Sequence, residues 1–384
     1  MNYKNFNPLL FLMSLGAGGI SIIPFAFLQY TFFSSKGLVT LSDVLSSSLS
    51  MSQLVLFNFL FIVMIVFGLL HLILSVILIK HLIKWIKEGR YKEMLNNPLK
   101  NSALLAPFIS IIMTLNVFIG PIRFFINPIS NNLQSLMIYA LIFWGLIWLF
   151  LMYLDLKLIS ISFLKDFDVS KINFGWLLHS FALGMASVTG SGIAALSQNI
   201  LIAHIAAFLS TISLSLGLFL LIVKLITLFK FHFESKGLPD KQFLPSFLIV
   251  IPNVTLFAIT LFRLGHYLEH AFSFSLGAYF LVVILLSFVF EIWYFGFSLF
   301  LLKDYFKKHF FKKEFYISQW GLVCPVVAFA VLGSFLYKVF VPNIILYIVI
   351  IVVLIISVVL FFILFIRQLK CSNFLKSKSF ICKN

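Results

Sequence analysis

The segment LVLFNFLFIVMIVFGLLHLILSVILI occupies residues 54–79 and contains no Asp, Glu, Lys or Arg. As an α-helix it would extend about 40 Å, which exceeds the hydrocarbon thickness of about 30 Å in a typical bilayer. Similar apolar blocks recur along the chain, at residues 9–33, 104–125, 136–154, 174–196, 200–229, 243–262, 272–302, 319–337 and 341–366. We therefore predict an all-α polytopic membrane protein with ten transmembrane helices.

The composition indicates the same class. Hydrophobic residues make up 62% of the chain and charged residues only 10%, whereas soluble domains contain about 25% charged residues. The apolar blocks leave no room for a separate soluble domain, so we expect one transmembrane domain over residues 1–370 and a basic cytoplasmic tail over residues 371–384. The first block is longer than a signal-peptide core, and we expect it to be retained.

The net charge of +16 indicates how the chain is oriented in the membrane, because the cations lie in short loops between apolar blocks and form no folded basic face. We expect no nucleic-acid partner. If the N-terminus is cytoplasmic, 24 of the 28 Lys and Arg residues fall on the cytoplasmic side, as cationic loops do. The other four are Lys36, Arg123, Arg263 and Lys338. This asymmetry predicts that both termini are cytoplasmic. We expect the protein to lie in a bacterial inner membrane.

The odd-numbered blocks differ from the even-numbered ones. Pro24, Pro107, Pro252 and Pro325 lie in the first, third, seventh and ninth blocks, and no even block has an interior proline. Proline frees a backbone carbonyl, which a membrane helix tolerates where protein or water satisfies the freed group. The odd blocks also contain small and polar residues, including Gly16, Gly18, Ser110, Ser187, Thr189 and Asn253.

We therefore predict five helical hairpins, with the inner odd-numbered helices around a central pore. The residues named above, together with Cys324, are the candidates for its lining or gate. Close helix packing by small residues is the alternative explanation of the same pattern.

Four segments carry a family resemblance that covers almost the whole chain. They are Phe6-Asn7-Pro8 followed by Ser14-Leu-Gly-Ala-Gly-Gly-Ile-Ser21, Asn97-Pro98 before Leu104-Leu-Ala-Pro107, Leu244-Pro245 before Ile251-Pro252, and Trp320-Gly-Leu-Val-Cys324-Pro325. With them the chain resembles the TehA, tellurite-resistance and dicarboxylate transporter family, which is related to the plant slow anion channels.

The resemblance implies a five-hairpin bundle, usually a homotrimer, in which each protomer passes small anions through its own pore. The leading expectation is an anion channel, and the alternative is a proton-coupled carrier of small acids such as dicarboxylates or sulfite. A membrane enzyme or redox protein is not expected, since no catalytic cluster or paired haem histidines are evident. A receptor or assembly factor without flux is a third class that the sequence leaves open.

Cys324 departs from the family pattern. The Trp320–Pro325 segment is similar to a signature that has Phe directly before the proline, where the ring is a candidate plug of the pore. With Cys at this position we expect a wider constriction, or closure by Phe108, Phe181 or Phe257 of a neighbouring inner helix. The alternative is that Cys324 is a small buried residue at a helix contact.

Isolated ionisable residues have two explanations each. Glu291 lies near mid-membrane and is expected to make a structural hydrogen bond, with His71 as a candidate partner, or to couple protons. His179 is expected to cap a helix or pack on Trp176, or to contact anions as a titrating group. The pattern formed by His266, Glu269 and His270 is too weak to predict a metal site, so we expect no metal and no cofactor.

External cations are expected to attract anions to one mouth of the pore. Arg123, Arg263 and Lys338 follow inner helices, and with Lys36 they outnumber the external acids Asp43 and Glu269. Such a field raises the local anion concentration and weakens with salt. Two further residues, Cys371 and Cys382 of the basic tail, are expected to be reduced thiols.

Overall fold

The computed structural model describes residues 6–32, 37–234, 237–312, 314–340, 342–371 and 381–383. In these ranges ten helices are long and apolar enough to cross a membrane. They are α1 (Pro8–Phe32), α2 (Met51–Lys87), α3 (Asn101–Phe125), α4 (Leu133–Leu164), α5 (Phe174–Leu196), α6 (Ile200–Glu234), α7 (Leu244–Phe272), α8 (Gly277–Leu301), α9 (Ile317–Val339) and α10 (Ile344–Cys371). The prediction of an all-α membrane fold with ten spans is confirmed.

Short elements connect the spans. Brief helices occupy Leu41–Leu45, Tyr91–Leu95, Asn127–Asn131, Lys303–Tyr305 and Phe306–Phe310. Two three-residue strands, β1 (Glu314–Tyr316) and β2 (Ile381–Lys383), pair in parallel, which the sequence did not predict. Lys36 and most of the predicted tail, residues 372–380 and 384, lie outside the described residues. Cys371 is disulfide-bonded, so the expectation of a reduced thiol at this position is wrong.

Several helices continue beyond their apolar blocks. Helix α2 extends past residue 79 through Lys80, Lys84 and Lys87, and the chain turns only near Gly89, whose φ is +72°. Lysine is a good helix former, so the helix does not end where the apolar sequence does. In contrast, α5 and α6 are separated at the predicted point. There the Asn199 side chain accepts hydrogen bonds from the backbone N–H groups of Leu201 at 3.0 Å and Ile202 at 3.3 Å.

All five odd-numbered helices begin with a 3₁₀ turn. These turns cover Pro8–Leu10, Asn101–Leu105, Phe174–Leu177, Leu244–Ile249 and Ile317–Leu322. Pro107, Pro252 and Pro325 lie in the first turn of the α-helical segment that follows, a position that proline tolerates. These three prolines therefore mark the change from 3₁₀ to α geometry. Pro24 lies within an α-helical segment.

The odd-numbered helices form a closed ring. Helix α1 contacts α3, α3 contacts α5, α5 contacts α7, α7 contacts α9 and α9 contacts α1. Their 3₁₀ turns contact one another in the same cyclic order. The five helices therefore point the same way, with their N-termini gathered at one end of the ring.

The even-numbered helices pack outside this ring. Each one contacts the odd helix before it and the next odd helix around the ring, so α10 contacts α9 and α1. In the most apolar window of each helix, 61–94% of residues are buried in the odd helices, against 28–44% in the even ones. The even helices therefore present the apolar surface that a bilayer would cover.

Candidate functional site

A cavity of about 160 Å³, here called cavity A, lies among the odd-numbered helices and is lined by residues from all five. Its lining includes Gly16 and Gly19 of α1, Asn116 of α3, Thr189 of α5, Pro252 and Arg263 of α7, and Cys324 of α9. The glycines bring backbone close to the neighbouring helix, since a Cβ at Gly19 would lie 2.9 Å from Cγ1 of Val327. Cavity A therefore depends on small residues at the helix contacts.

A second cavity of about 460 Å³, cavity B, is lined by the 3₁₀ turns at the start of the odd helices. Leu9, Ser102, Gly175, Ser246 and Ser318 come from the five turns in chain order. Helix N-termini carry partial positive charge and unpaired N–H groups. The convergence of five such ends favours negative charge in this cavity.

Phe181 and Cys324 line both cavities, so their side chains lie where cavity A approaches cavity B. Phe181 lies in α5 and Cys324 in the first turn of the α-helical part of α9. Both side chains are buried. The family resemblance suggested Cys324 as a residue of the pore constriction. Phe181 was one of three phenylalanines expected to close that constriction instead.

The charge of the two linings is positive. Among the described residues, Arg263 is the one charged residue that lines cavity A. Lys100 is the one charged residue that lines cavity B. Neither lining includes a carboxylate among those residues. A low-dielectric cavity with a fixed cation and no fixed anion favours anions.

The negative charge of one acidic side chain near cavity B, that of Glu314, is balanced by a lysine. Tyr316 lines that cavity and donates a hydrogen bond to Glu314 at 2.7 Å, and Lys241 lies 2.8 Å from the same carboxylate. Burial raises the pKa of Glu314, but hydrogen bonds from Lys241, Tyr316 and His309 outweigh it and lower the pKa to about 2. The hydrogen bond to Glu314 also raises the pKa of Lys241. The pair therefore adds little net charge at neutral pH.

The predicted site residues divide into two groups. Gly16, Thr189, Pro252, Phe181, Cys324 and Arg263 line at least one cavity. The residues that line neither are Gly18, Pro24, Pro107, Ser110, Ser187, Asn253, Pro325, Phe108, Phe257, Arg123, Lys338, His179 and Glu291. Helical periodicity explains the division within the odd helices, because only one face of each points inward, whereas Glu291 lies on the even helix α8.

Several residues of the second group have other partners. Gly18 faces outward, where a Cβ would lie 2.9 Å from Nδ1 of His71. The Ser187 hydroxyl hydrogen-bonds with that of Thr260 at 3.0 Å. The ring of Phe257 lies against Gly217, whose added Cβ would come within 2.8 Å of it. These contacts tie inner helices to their neighbours.

Glu291 and His71 do not pair with each other. The hydroxyl of Thr255 in α7 donates to Oε1 of Glu291 in α8. His71 in α2 contacts the backbone carbonyl of Ser14 at 2.8 Å and the hydroxyl of Thr114 at 3.0 Å. The suggestion that His71 partners Glu291 is therefore wrong, because each side chain joins its own helix to different odd helices.

His179 belongs to a buried charged cluster that the sequence did not predict. Its Nδ1 lies 2.7 Å from Oδ1 of Asp155 in α4. Lys224 in α6 interacts electrostatically with Asp155, donates to the carbonyl of Trp176 at 3.2 Å and lies over the Trp176 ring. Lys224 is one of the 24 cations that the charge asymmetry assigns to the cytoplasmic side, but the structure buries it inside α6. The cluster links three consecutive helices.

The three predicted mouth cations have different surroundings. Arg123 is 1% exposed and donates to the carbonyls of Ile119 at 2.9 Å and Val39 at 2.6 Å. Lys338 is exposed near the end of α9. Arg263 lies within α7, nine residues before Phe272, and faces cavity A. The structure therefore places one of the three in a cavity.

Sequence reasoning missed Tyr30 and Asn116 as lining residues and misjudged the depth of Arg263. A signal for Arg263 was present, because Leu256, Ile259 and Arg263 recur at helical spacing and line the same cavity. Asn116 gave no comparable signal. Its amide donates to the hydroxyl of Thr189 at 2.7 Å, a contact between α3 and α5 that only the packing defines.

Comparison with known proteins gives one family. No curated protein matches the chain with significance. The family described as "Voltage-dependent anion channel", SLAC1, matches residues 5–369, which is nearly the whole chain. The resemblance inferred from the proline and glycine segments is thereby confirmed. The chain therefore belongs to the voltage-dependent anion channel family, SLAC1, a family of membrane anion channels and transporters.

Proposed function

We propose that this protein conducts small anions passively along a path through cavity B, past Phe181 and Cys324, and into cavity A. One observation carries the proposal: two cavities of a closed five-helix ring share these two wall residues, and their described linings contain cations but no carboxylate. A hydrophobic constriction between two electropositive cavities is a recognised channel arrangement.

The direction of the path follows from the charge asymmetry of the sequence. With cytoplasmic termini, the N-terminal ends of the odd helices and cavity B face the cytoplasm, and cavity A faces the outside. Orientation, residence in a bacterial inner membrane and assembly as a homotrimer are parts of the proposal. The charge asymmetry and the family resemblance support them.

A proton-coupled carrier is the second candidate, and one contact favours it. Thr255 lines cavity A and also donates to the buried carboxyl of Glu291. A carrier needs a titratable group linked to the substrate path, and this contact provides such a link. The passive channel is preferred because Glu291 itself lines neither cavity.

The deciding experiment uses purified protein in planar bilayers with unequal salt on the two sides. We expect a reversal potential close to the anion equilibrium value in chloride, nitrate, sulfite and malate. A matched pair then tests the electrostatic argument. Lys100→Gln should lower the anion current at low ionic strength, and Lys157→Gln, on the exposed face of α4, should not. Cation-selective current, or none, would overturn the proposal.

A further inference from the structure

Arg263 has a fixed position in cavity A. Its Nη1 donates a hydrogen bond of 2.7 Å to the carbonyl of Val188 in α5. The same nitrogen passes close to Gly192, where an added Cβ would lie 3.0 Å away. A carbonyl partner and a glycine beside it hold the guanidinium against the wall of α5. The group is therefore positioned before any ligand arrives.

Most of the hydrogen-bonding capacity of Arg263 is unused. A guanidinium has five N–H donors, and the described residues take up one through Val188. No carboxylate in the described part of the chain forms an ion pair with Arg263. A cation in a low-dielectric cavity without an anionic partner is costly. An anionic ligand with two oxygens would remove that cost, because it matches the planar fork of the guanidinium.

Most of the remaining lining of cavity A is apolar, with Tyr30, Asn116, Thr189 and Thr255 as its polar members. Leu15, Ile22, Met185, Ile259, Val327 and Val331 are among its walls. Its volume of about 160 Å³ is close to that of an engineered cavity of about 150 Å³ that binds benzene. A ligand of about six non-hydrogen atoms therefore fits. Such a ligand would have one charged end at Arg263 and an apolar remainder.

We propose that cavity A is a binding site for short-chain monocarboxylates of two to four carbons, with Arg263 holding the carboxylate and the apolar walls holding the alkyl chain. This inference rests on the proposed function, since it specifies which anions the path prefers. The aliphatic side chains contribute through burial of the alkyl groups. The site thus selects by shape and by polarity as well as by charge.

Other anions fit this site less well than a short monocarboxylate. A dicarboxylate would place its second charge in a lining that is mostly apolar and in which the described residues offer no second cation. Chloride has a single acceptor atom, so it cannot form two parallel N–H···O bonds with the guanidinium, and it gains nothing from the apolar walls. The site therefore predicts the order propionate, then chloride, then succinate.

The test measures relative permeability under bi-ionic conditions at pH 7.5. Current is recorded because undissociated acid crosses a bilayer without carrying charge. We expect acetate, propionate and butyrate to be more permeant than chloride, and succinate less. Arg263→Gln should lower the ratio of propionate to chloride permeability by about tenfold, the size expected for loss of a charge-assisted hydrogen bond. Lys157→Gln, which removes an exposed cation of α4 outside both cavities, should leave the ratio unchanged.

A second measurement does not require conduction. Propionate at constant ionic strength should raise the Tm of the detergent-solubilised protein, because a ligand that binds the folded state stabilises it. The increase should be absent in Arg263→Gln. If chloride permeates and propionate has neither preference nor effect on Tm, this inference is overturned and the channel stands. If no anion permeates but propionate still raises the Tm, the channel is overturned and the binding site stands.

Discussion

The side chains of Phe181 in α5 and Cys324 in α9 each form part of the wall of both cavities. The two cavities share these two wall residues, and their other described lining residues differ. Cys324 occupies the position at which the resemblance leads us to expect phenylalanine, and a phenylalanine is present instead on α5. In the proposed path, the bulky side chain of the constriction therefore comes from a different helix.

A smaller side chain at Phe181 and a larger one at Cys324 should change the conductance in opposite directions. Phe181→Ala should raise the single-channel current because it removes a ring from the narrow point, whereas Cys324→Phe should lower it. Single-channel recording in planar bilayers measures both. As a control, Phe163→Ala removes a ring that is 86% exposed on α4 and should leave the current unchanged. An unchanged current in both constriction variants would contradict the assignment.

Thiol accessibility separates a wall residue from a packed one. In a variant with Cys371→Ser and Cys382→Ser, a small charged thiol reagent should modify Cys324 and reduce current, because only a thiol that faces water reacts with such a reagent. Mass spectrometry of the treated protein measures the modification. A Cys324 that stays unmodified, with normal current in Cys324→Phe, would place this residue in packing alone.

A glycine on the outward face of α5 should tolerate no side chain. A Cβ at Gly190 would lie 2.2 Å from Cζ2 of Trp144 and 2.3 Å from Oγ of Ser210. The Trp144 ring cannot easily move, because its N–H donates to the carbonyl of Ala186 at 3.0 Å. Gly190→Ala should therefore destabilise the fold by about 1–3 kcal/mol or more.

Thermal unfolding in detergent checks this, with Gly145→Ala as the matched control. No atom lies within 4 Å of a Cβ built at Gly145, so alanine there should be neutral or stabilise α4 by up to about 1 kcal/mol. Equal Tm values for the two variants would show that the contact at Gly190 is not as described.

The buried Asp155, His179 and Lys224 cluster should be sensitive to single changes. Asp155→Asn or Lys224→Met alone leaves an uncompensated buried charge, and we expect each to cost about 3–5 kcal/mol. The double variant should cost much less than the sum. Lys157→Met, an exposed change two residues from Asp155 in α4, is the control. Strict additivity in Tm would argue against coupling between the two residues.

Glu291 decides between passive and proton-coupled transport. Glu291→Gln retains an oxygen that accepts from Thr255 but removes the titratable group. A passive channel should keep its current, and an imposed pH gradient should drive no anion uptake in either protein. Uptake driven by a pH gradient in the native protein, and lost in Glu291→Gln, would favour the carrier. Flux into proteoliposomes with and without the gradient provides the measurement.

Reporter fusions test the orientation. A fusion after Asn384 and an insertion between Arg90 and Asn96 should both be cytoplasmic, and an insertion near Ser46 should be external, because cationic loops stay inside. Paired reporters that are active on opposite sides of the membrane provide the assay. Reversal of the three locations would contradict the model of the path as well as the topology.

The sequence by itself determined the class, the number of spans and the family. Hydrophobic length is a local property, so ten apolar blocks were sufficient to predict ten helices, and local segments such as Ile251-Pro252 and Cys324-Pro325 carried the resemblance. It also separated the odd from the even helices, because small and polar residues concentrate in the odd ones. Helix ends were less well predicted, since charged helix formers such as Lys84 and Lys87 continue α2 beyond its apolar block.

Only the tertiary structure decided which face of each helix points inward. Gly16 lines a cavity and Gly18 does not, although they are two residues apart, because two residues of a helix differ by about 200° in direction. Arg123 and Arg263 look alike as sequence, and both donate to backbone carbonyls, yet only Arg263 faces cavity A. Side-chain environment is set by neighbours that are distant in sequence, as for Asp155 beside His179, and no local pattern contains that information.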